Sequence, residues 1–562
     1  MSMHAVLKHV SAFLPRPSDW KAARRDPRRD VLAGVTVAVV ALPLALAFGV
    51  NSGLGAQAGL VTAIVAGVLA AVFGGSNLQV SGPTGAMTVV LVPIMSQYGP
   101  GGVLTVGLLA GVVLVALAVA KIGRFARFMP TSVIEGFTAG IAVVIALQQI
   151  PAALGVTGAQ GERVWQVAAD AVTRFASRPD FQPVIMALVV AALMLAGARW
   201  RPGLPFSLIG VVLATVAAEL AGLEIARIGS LPSTLPAPSL GFLNVGALAV
   251  LLPSALAVAA LAALESLLCA SVADAMSVGE RHDADRELFG QGVANLVVPL
   301  FGGVPATAAI ARTAVNVRSG ARSRVAAVTH ALVLAVIVFA ASGLVGRIPL
   351  AALAGVLLAT TVRMVEVGSL RAIARATRGD ALVMGLTFVV TVAFDLVSAV
   401  AVGIGVAVVL ALRAVARTVR VEQVPLDGGD HSEEELRLLA EHIVAYRFDG
   451  PMLFAAAHRF LLELSEVSDV RVVILRMSRV STIDATGAQV LGDAITRLER
   501  RGITVLLSGI RPGHEQVLAA VGVAEHLRRD GLVFADTPRA IAHARQLITG
   551  HTQTAEDMTV RM

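Results

Sequence analysis

The sequence has little cysteine, little charge and few aromatic residues. Of its 562 residues one is cysteine, 15% are charged and 4% are aromatic. The single cysteine, Cys269, excludes an internal disulfide and a thiolate metal cluster. We find no Ser-His-Asp arrangement, metal-ligand spacing or phosphate-binding loop in it. The sequence therefore predicts neither an enzyme nor a bound metal or cofactor.

The sequence is instead rich in apolar residues. They make up 56% of the chain, and the mean hydropathy is +0.79. Fourteen apolar segments recur between Val31 and Leu412, which predicts an α-helical polytopic membrane protein. The third and tenth are too short to cross a bilayer alone. The segments are 31–50, 57–74, 84–97, 102–120, 131–150, 182–198, 204–221, 247–270, 288–301, 308–317, 325–345, 349–362, 381–395 and 396–412.

The basic residues indicate how the chain is oriented. Residues 1–30 form a polar, Arg-rich arm without the apolar core of a cleaved signal, so we expect an uncleaved N-terminus. Lys and Arg also cluster in alternate short loops, on the same side as this arm. This pattern predicts the inner (plasma) membrane, with both termini in the cytoplasm. The net charge of +7 is thus attributed to topology, not to nucleic-acid binding.

Two segments carry Gly or Pro where a membrane helix should be continuous. One runs from Phe73-Gly74-Gly75 to Met87, and the other from Phe301-Gly302-Gly303 to Asn316. Irregular backbone at membrane depth survives only where it is buried or lines a cavity. Paired breaks in two halves are typical of inverted-repeat transporters with a substrate between them. Overlaying the FGG triplets aligns Ser81 to Thr84 with Ala309 to Arg312.

Each break predicts a helix start facing the other. The unpaired N–H groups of a helix start carry about half a positive charge, so two facing starts make an anion site without a metal. The alternative is that these small residues only pack helices together. The candidate donors are the backbones of Thr84, Gly85, Ala86, Ala308, Ala309, Ile310 and Ala311.

Two isolated charges accompany this site. Arg312 follows the second break in an otherwise apolar segment, where a guanidinium needs an anionic partner, either the substrate or a protein carboxylate. Glu265 is the only charge between Leu251 and Ala270 and is the candidate proton-coupling residue, since apolar surroundings favour a neutral carboxyl group. A structural ion pair between Arg312 and Glu265 is the alternative role. His330 is interpreted as a core histidine.

Beyond Arg420 the composition changes from apolar to polar. We predict a membrane domain at 31–412, a linker at 413–440, a soluble α/β domain at 441–548 and a disordered tail at 549–562. Predicted strands cover 443–448, 470–475 and 503–508. Predicted helices cover 458–465, 485–501 and 514–521.

The chain resembles the SulP anion permeases along nearly its whole length. The similarity lies in GVTVAVVALPLALAFGVNSGLGAQAGL, FGGSNLQVSGPTGAMTVVL, ESLLCASVADAM and GQGVANLVVPLFGGVPATAAIARTAVNVRSGA, and RVSTIDATGAQVL resembles the STAS domain that closes such transporters. ESLLCA, ATAAIAR and GPMLFAAA are most similar to the DauA-type C4-dicarboxylate transporters, with bicarbonate transporters a second relative. The resemblance implies fourteen helices in a seven-plus-seven inverted repeat, split into core and gate domains and usually dimeric. It also implies an anion site between the third and tenth helices.

The resemblance also assigns roles to single residues. Arg312 matches the site arginine, and Phe48 matches a pocket-lining aromatic. Sodium-coupled members carry an eighth-helix Asp assisted by two hydroxyl residues, at whose positions this chain has Cys269 and Ile310. Since neither binds a hard cation, sodium coupling is disfavoured.

In the STAS-like run, Thr486 occupies the position of a phosphorylatable hydroxyl, in the loop with Asp484. The alternative is a loop that only caps a helix.

These observations predict a secondary transporter for a small anion, coupled to protons. Sulfate, bicarbonate and C4-dicarboxylates fit the site equally. The alternatives are a passive anion channel, a sodium-coupled bicarbonate transporter, or a membrane-tethered STAS signalling protein. The expected partners are the anion, protons, membrane lipid and a second copy of the chain.

Overall fold

The chain divides into two compact units, Met1–Gly405 and Val406–Met562. The structure, a computed structural model, describes residues 13–20, 26–124, 130–161, 163–201, 204–231, 234–277, 281–394, 396–418, 420–424, 442–453, 470–523 and 525–559. Two predicted features, the helix at 458–465 and most of the linker, lie outside these residues.

The first unit is built from helices with two very short strands. In order, they are α1 (Pro27–Asn51), α2 (Ala56–Phe73), β1 (Ser81–Gly82), α3 (Gly85–Val119), α4 (Thr131–Ala153), α5 (Val164–Ser177), α6 (Phe181–Trp200), α7 (Phe206–Leu220), α8 (Leu248–Met276), α9 (Ala284–Val297), β2 (Thr307–Ala308), α10 (Ile310–Arg318), α11 (Val325–Gly346), α12 (Leu350–Met364), α13 (Val367–Ala376), α14 (Arg378–Ala393) and α15 (Leu396–Thr418). The last helix, α15, begins in the first unit and continues past Gly405 into the second.

All fourteen predicted segments fall on these helices. Segments three and four are both in α3, which breaks at Gly99 with φ 65°. Among the described residues, eight helices are long and apolar enough to cross a membrane by length and composition. The chain is therefore a helical multi-pass membrane protein. The short α5 and α13, which were not predicted, are amphipathic helices in loops.

The helices of the first unit pack in two groups, each drawing on both halves of the sequence. In the first group, α1, α2 and α3 pack against α8, α9, α10 and α11. In the second, α4, α6 and α7 pack with α12 and α14. The two broken segments belong to the first group.

An N-terminal strap, defined here as residues 13–20, docks on the start of α9. The Phe13 ring stacks on Phe289 with centroids 5.0 Å apart. Arg286 pairs with Asp19 at 2.5 Å, and both side chains are largely buried. Although burial alone would raise the pKa of Asp19, the hydrogen bonds from Arg286 and Arg16 lower it. The charged form of Asp19 therefore contributes to docking at neutral pH.

The second unit contains a five-stranded sheet. Its strands β3 (Arg420–Val424), β4 (Ile443–Met452), β5 (Val472–Ile483), β6 (Thr504–Ser508) and β7 (Val533–Phe534) lie in sequence order. β3 is antiparallel to β4, and the other pairs are parallel. The helices are α16 (Ala485–Arg500), α17 (Pro512–Ala520), α18 (Glu525–Arg529) and α19 (Thr537–Thr559).

The structure differs from the predicted domain limits at both ends of this unit. β3 lies inside the predicted linker and pairs with β4, so that part of the linker is an edge strand. At the other end α19 continues to Thr559, through residues predicted to be disordered. Ala540 and Ala544 fix the first half of α19 in the core, and the sequence beyond Gly550 contains no proline to end the helix.

Candidate functional site

The two broken segments meet as an antiparallel pair of strands. Ser81 of β1 lies opposite Ala308 of β2, and Gly82 lies opposite Thr307. A helix begins just after each strand, α3 at Gly85 and α10 at Ile310. The predicted facing helix starts are therefore present. The FGG overlay is wrong by three residues, because the first segment has three more residues between its triplet and its helix. The counterpart of Thr84 at the helix start is Ala309, not Arg312.

The first helix start is buried, and one of its amides is capped by a side chain. Thr84 is the N-cap of α3, and its Oγ1 accepts a hydrogen bond from Met87 N at 3.4 Å. Gly85 and Ala86, in the first turn, are buried. A Cβ on Gly85 would fall 2.2 Å from Ile145 Cδ1 and 3.2 Å from Phe48 Cε1. Phe48, which the resemblance gives as a pocket-lining aromatic, thus lies against this helix start. Ile145 of α4 also lies there, although no sequence signal marks it.

The second helix start is open, and its four predicted donors divide into two pairs. Ala308 N donates to Ser266 Oγ at 3.3 Å, and Ala309 N donates to Val80 O at 3.0 Å. These two hydrogen bonds fix the position of β2. Both amides therefore already have acceptors within the protein and are not free to bind an anion. Ile310 and Ala311 are exposed, and their amides lie in the first turn, where no helical acceptor exists.

Arg312 lies behind the helix starts and is only 1% exposed. Its Nη2 donates to Pro83 O at 2.6 Å. Its Nη1 has no hydrogen-bond partner among the described residues. This atom would lie 2.4 Å from a Cβ on Gly82, so only glycine allows the guanidinium to approach β1 so closely. Arg312 therefore brings a buried, incompletely bonded positive charge to the strand pair.

Glu265 lies on α8, beside the start of α3. Its Oε2 accepts a hydrogen bond from Thr84 Oγ1 at 3.0 Å. Glu265 and Arg312 attract each other electrostatically. Within the described part of the chain, however, they form no ion pair. The predicted alternative, a structural ion pair between them, is therefore not formed in this conformation.

The positions that bear on sodium coupling offer few ligands. Cys269 is buried and donates to Thr313 Oγ1 at 3.1 Å, while Ile310 is apolar and 38% exposed. The described residues contain no group of three His, Cys, Asp or Glu that could hold a metal ion. His330 is 0% exposed on α11, and no described side chain hydrogen-bonds to it, which agrees with a core position.

Sequence reasoning missed the residues of α9 that hold the broken segments. Glu287 Oε2 accepts from Gly75 N at 2.9 Å, and Gln291 Nε2 donates to Ser81 Oγ at 2.6 Å. Asn295 accepts from Ala306 N and donates to Ala306 O, both at 2.8 Å. Their spacing of four residues puts these polar side chains on one face of α9 and is the signal that could have found them.

In the second unit, Asp484 caps α16 by accepting a hydrogen bond from Gly487 N at 2.7 Å. Thr486 lies in the first turn of this helix and is exposed. The loop is therefore a cap, and its hydroxyl is accessible. Both roles weighed from the sequence fit this geometry.

Comparison with known families accounts for most of the chain. Residues 28–387 match the sulfate permease family, and residues 439–539 match the STAS domain. The chain belongs to the sulfate permease family. Members of this family are membrane anion transporters and not enzymes, and the second unit is its STAS domain.

Individual relatives within the sulfate permease family agree with this assignment. YvdB of Bacillus subtilis (strain 168), which bears the name of a sulfate transporter, is 34% identical over 81% of this chain and 86% of its own length. The bicarbonate transporter BicA of Synechocystis sp. is 32% identical over 78% of this chain and 80% of its own length. These relatives are named as sulfate and bicarbonate transporters, whereas the sequence motifs had pointed to DauA-type C4-dicarboxylate transporters.

Solved structures support the fold of this chain. The transmembrane domain of a cyanobacterial BicA matches 67% of this chain and 98% of its own with a TM-score of 0.62 and 33% identity. The structure of SLC26A9 matches 98% of this chain and 96% of its own with a TM-score of 0.82 at 17% identity, a likeness of fold alone.

Proposed function

We propose that the protein is a secondary transporter that carries a small oxyanion, sulfate or bicarbonate, together with a proton across the inner membrane. The observation that carries this proposal is the buried Arg312, which lies beside two helix starts and has no ion-pair partner among the described residues. The candidate binding groups are the first-turn amides of Gly85, Ala86, Ile310 and Ala311, with Phe48 against the start of α3 and Arg312 behind the strand pair.

Charge balance gives a reason for coupling to a proton. While the site is empty, the carboxylate of Glu265 can offset the charge of Arg312 electrostatically. When an anion binds, two negative charges would share one buried positive charge in a medium of low dielectric constant. Protonation of Glu265 removes the excess negative charge. The anion and the proton therefore favour each other's binding.

The choice of sulfate or bicarbonate rests on the names of the relatives. C4-dicarboxylates stay a third candidate, supported by the motifs quoted above. Sodium coupling is less favoured, because Cys269 bonds to Thr313 and Ile310 offers no ligand. A channel or a signalling role would use the same parts, so transport measurements have to separate them.

The architecture that we propose follows the resemblance. The chain crosses the membrane fourteen times in two inverted halves, with both termini in the cytoplasm. The helix group that contains α3 and α10 is the core domain, and the group around α12 is the gate domain. A homodimer is proposed on the resemblance alone.

Flux into proteoliposomes tests the proposal. Purified protein is reconstituted without sodium, and uptake of labelled sulfate and bicarbonate is measured with and without an inward proton gradient, with succinate and fumarate as competitors. Uphill uptake that requires the gradient supports symport. Flow that ignores the gradient indicates a channel, a strict sodium requirement indicates the sodium-coupled alternative, and absence of flux favours signalling.

Replacing Glu265 with Gln is the sharpest test of the proton carrier. The amide keeps the shape and accepts from Thr84, but it stays neutral throughout the cycle. We expect the Gln variant to bind the anion while anion-driven proton uptake is lost, as measured with a pH dye inside the liposomes. Glu219→Gln, a partly exposed carboxylate on α7, is the matched control and should retain proton uptake. Stoichiometric proton uptake by Glu265→Gln would remove Glu265 from the mechanism.

A further inference from the structure

The hydroxyl of Thr84 connects the start of α3 to the carboxyl group of Glu265. Its oxygen accepts from Met87 N at 3.4 Å, and its hydrogen is donated to Glu265 Oε2 at 3.0 Å. Thr84 is 5% exposed, so water does not readily replace either partner. A hydroxyl group has one hydrogen and two lone pairs. In this conformation, therefore, its only hydrogen is committed to Glu265.

Protonation of Glu265 changes what this hydrogen can do. A carboxylate oxygen only accepts hydrogen bonds, whereas a protonated carboxyl group has an O–H of its own to donate. If the proton binds at Oε2, this O–H can donate to the free lone pair of Thr84 Oγ1. The Thr84 hydrogen then loses its acceptor and has to turn to another. A bound anion at the start of α3 would supply that acceptor.

We propose that Thr84 is the residue that couples the proton to the anion: its hydroxyl points to ionised Glu265 and turns to the bound anion when Glu265 is protonated. The inference rests on the proposed proton-coupled transport and adds its local mechanism. No covalent bond changes except the O–H bond formed on Glu265 by the incoming proton. The anion thus gains a hydrogen-bond donor only when the proton is present.

The other ionisable groups near Glu265 do not offer this connection. Arg312 on α10 attracts Glu265 but does not hydrogen-bond to it among the described contacts. Cys269, one turn further along α8, donates to Thr313 instead. His330 on α11 lies within electrostatic range of Arg312 and is buried. Of the described residues, only Thr84 bonds both to Glu265 and to the backbone of a helix start.

The test compares anion affinity across pH in the wild type and four full-length variants. Thr84→Val keeps the shape and removes the hydroxyl, and Thr84→Ser keeps the hydroxyl. Thr88→Val is the matched control, because the Thr88 hydroxyl lies one turn along α3 and, among the described residues, donates only to Gly85 O, at 2.7 Å. The ligand is sulfate. If the competition assay finds uptake of bicarbonate alone, bicarbonate is used instead, and its concentration at each pH is calculated from its equilibrium with carbon dioxide. Affinity is measured in proteoliposomes between pH 5.5 and 9.5.

In the wild type we expect affinity to rise as pH falls, by about tenfold if one hydrogen bond to a charged group is gained. Thr84→Ser and Thr88→Val should keep this rise, and Thr84→Val should flatten it. Thr84→Ala is measured in parallel as a second variant that lacks the hydroxyl, in case the Val variant does not fold. A rise that survives in a folded Val or Ala variant overturns the role of Thr84 and leaves proton coupling standing. A wild type without any pH dependence or proton uptake overturns both proposals.

Discussion

In the proposed anion site, Arg312 would act without projecting into the site. The side chain is buried behind Gly82 and Pro83, whereas Ile310 and Ala311 of the same helix are exposed. Its charge therefore acts through a short distance in a medium of low dielectric constant, where screening is weak. On our proposal, such an arginine favours negative charge in general, and the choice between anions falls to the backbone amides.

Replacing Arg312 with Ala should weaken anion affinity by at least about tenfold, the value of one charge-assisted interaction. The partial charges of the helix starts would remain, so residual binding is expected. Arg318→Ala is the control, because Arg318 ends the same helix and is exposed. Competition uptake in proteoliposomes gives both affinities. An unchanged affinity in a folded Arg312→Ala protein would exclude Arg312 from the site.

At the scale of elements, α9 decides where the two broken segments lie. Through Glu287, Gln291 and Asn295 this helix bonds to Gly75, to Ser81 and to Ala306. A break in a membrane helix frees backbone groups that need partners. α9 supplies those partners with three side chains on one face. It thus supports the site without contributing a candidate ligand.

Asn295→Leu should destabilise the protein and loosen β2. The substitution removes both bonds to Ala306 and leaves a buried N–H and C=O unpaired, which costs about 1–3 kcal/mol for each group. Thermal unfolding in detergent measures the loss, and hydrogen exchange at residues 304–308 reports the loosening. Asn295→Asp keeps the acceptor for Ala306 N but turns a carboxylate oxygen toward the carbonyl oxygens of Gln291 and Ala306, so a loss is expected at neutral pH that becomes smaller at low pH, where the protonated carboxyl group can donate. Equal stability of the Leu variant and the wild type would contradict this support role.

The elements of this protein were easier to predict than their register. Apolar run length located all fourteen segments on helices, and the FGG triplets located both breaks. The overlay nevertheless mismatched Arg312 with Thr84. A two-residue strand has too few side chains to define its partner, and β1 and β2 are positioned by bonds to α9 and α10 from distant parts of the chain. Likewise, the hydrogen bond from Cys269 to Thr313 could not be predicted from the sequence, because the two residues are 44 positions apart.

At the scale of the whole molecule, a membrane unit is joined to a STAS domain with its own hydrophobic core. The candidate anion-binding residues all belong to the first unit. Thr486 and Asp484 belong to the second, at the start of α16. We therefore expect the STAS domain to adjust the rate of transport and not the choice of anion.

Thr486→Glu tests this division of labour by adding a negative charge at a helix start, where the helix dipole tolerates it. We expect a changed maximal uptake rate and an unchanged preference between sulfate and bicarbonate. Thr496→Glu is the control, since Thr496 is exposed in the middle of the same helix. A reordered preference in the Thr486 variant would argue that the STAS domain contributes to the anion pathway.

The pairing of β1 with β2 constrains how the anion can cross the membrane. Parting α3 from α10 would break the backbone hydrogen bonds between the strands, and it would also pull Ala306 and Ser81 away from Asn295 and Gln291. Each bond lost in a dry interior is expensive. The starts of α3 and α10 are therefore expected to stay together during transport. We expect the proposed site to move as one rigid body with the bound anion, while the helices of the first group slide past their neighbours, and no pore to open between α3 and α10.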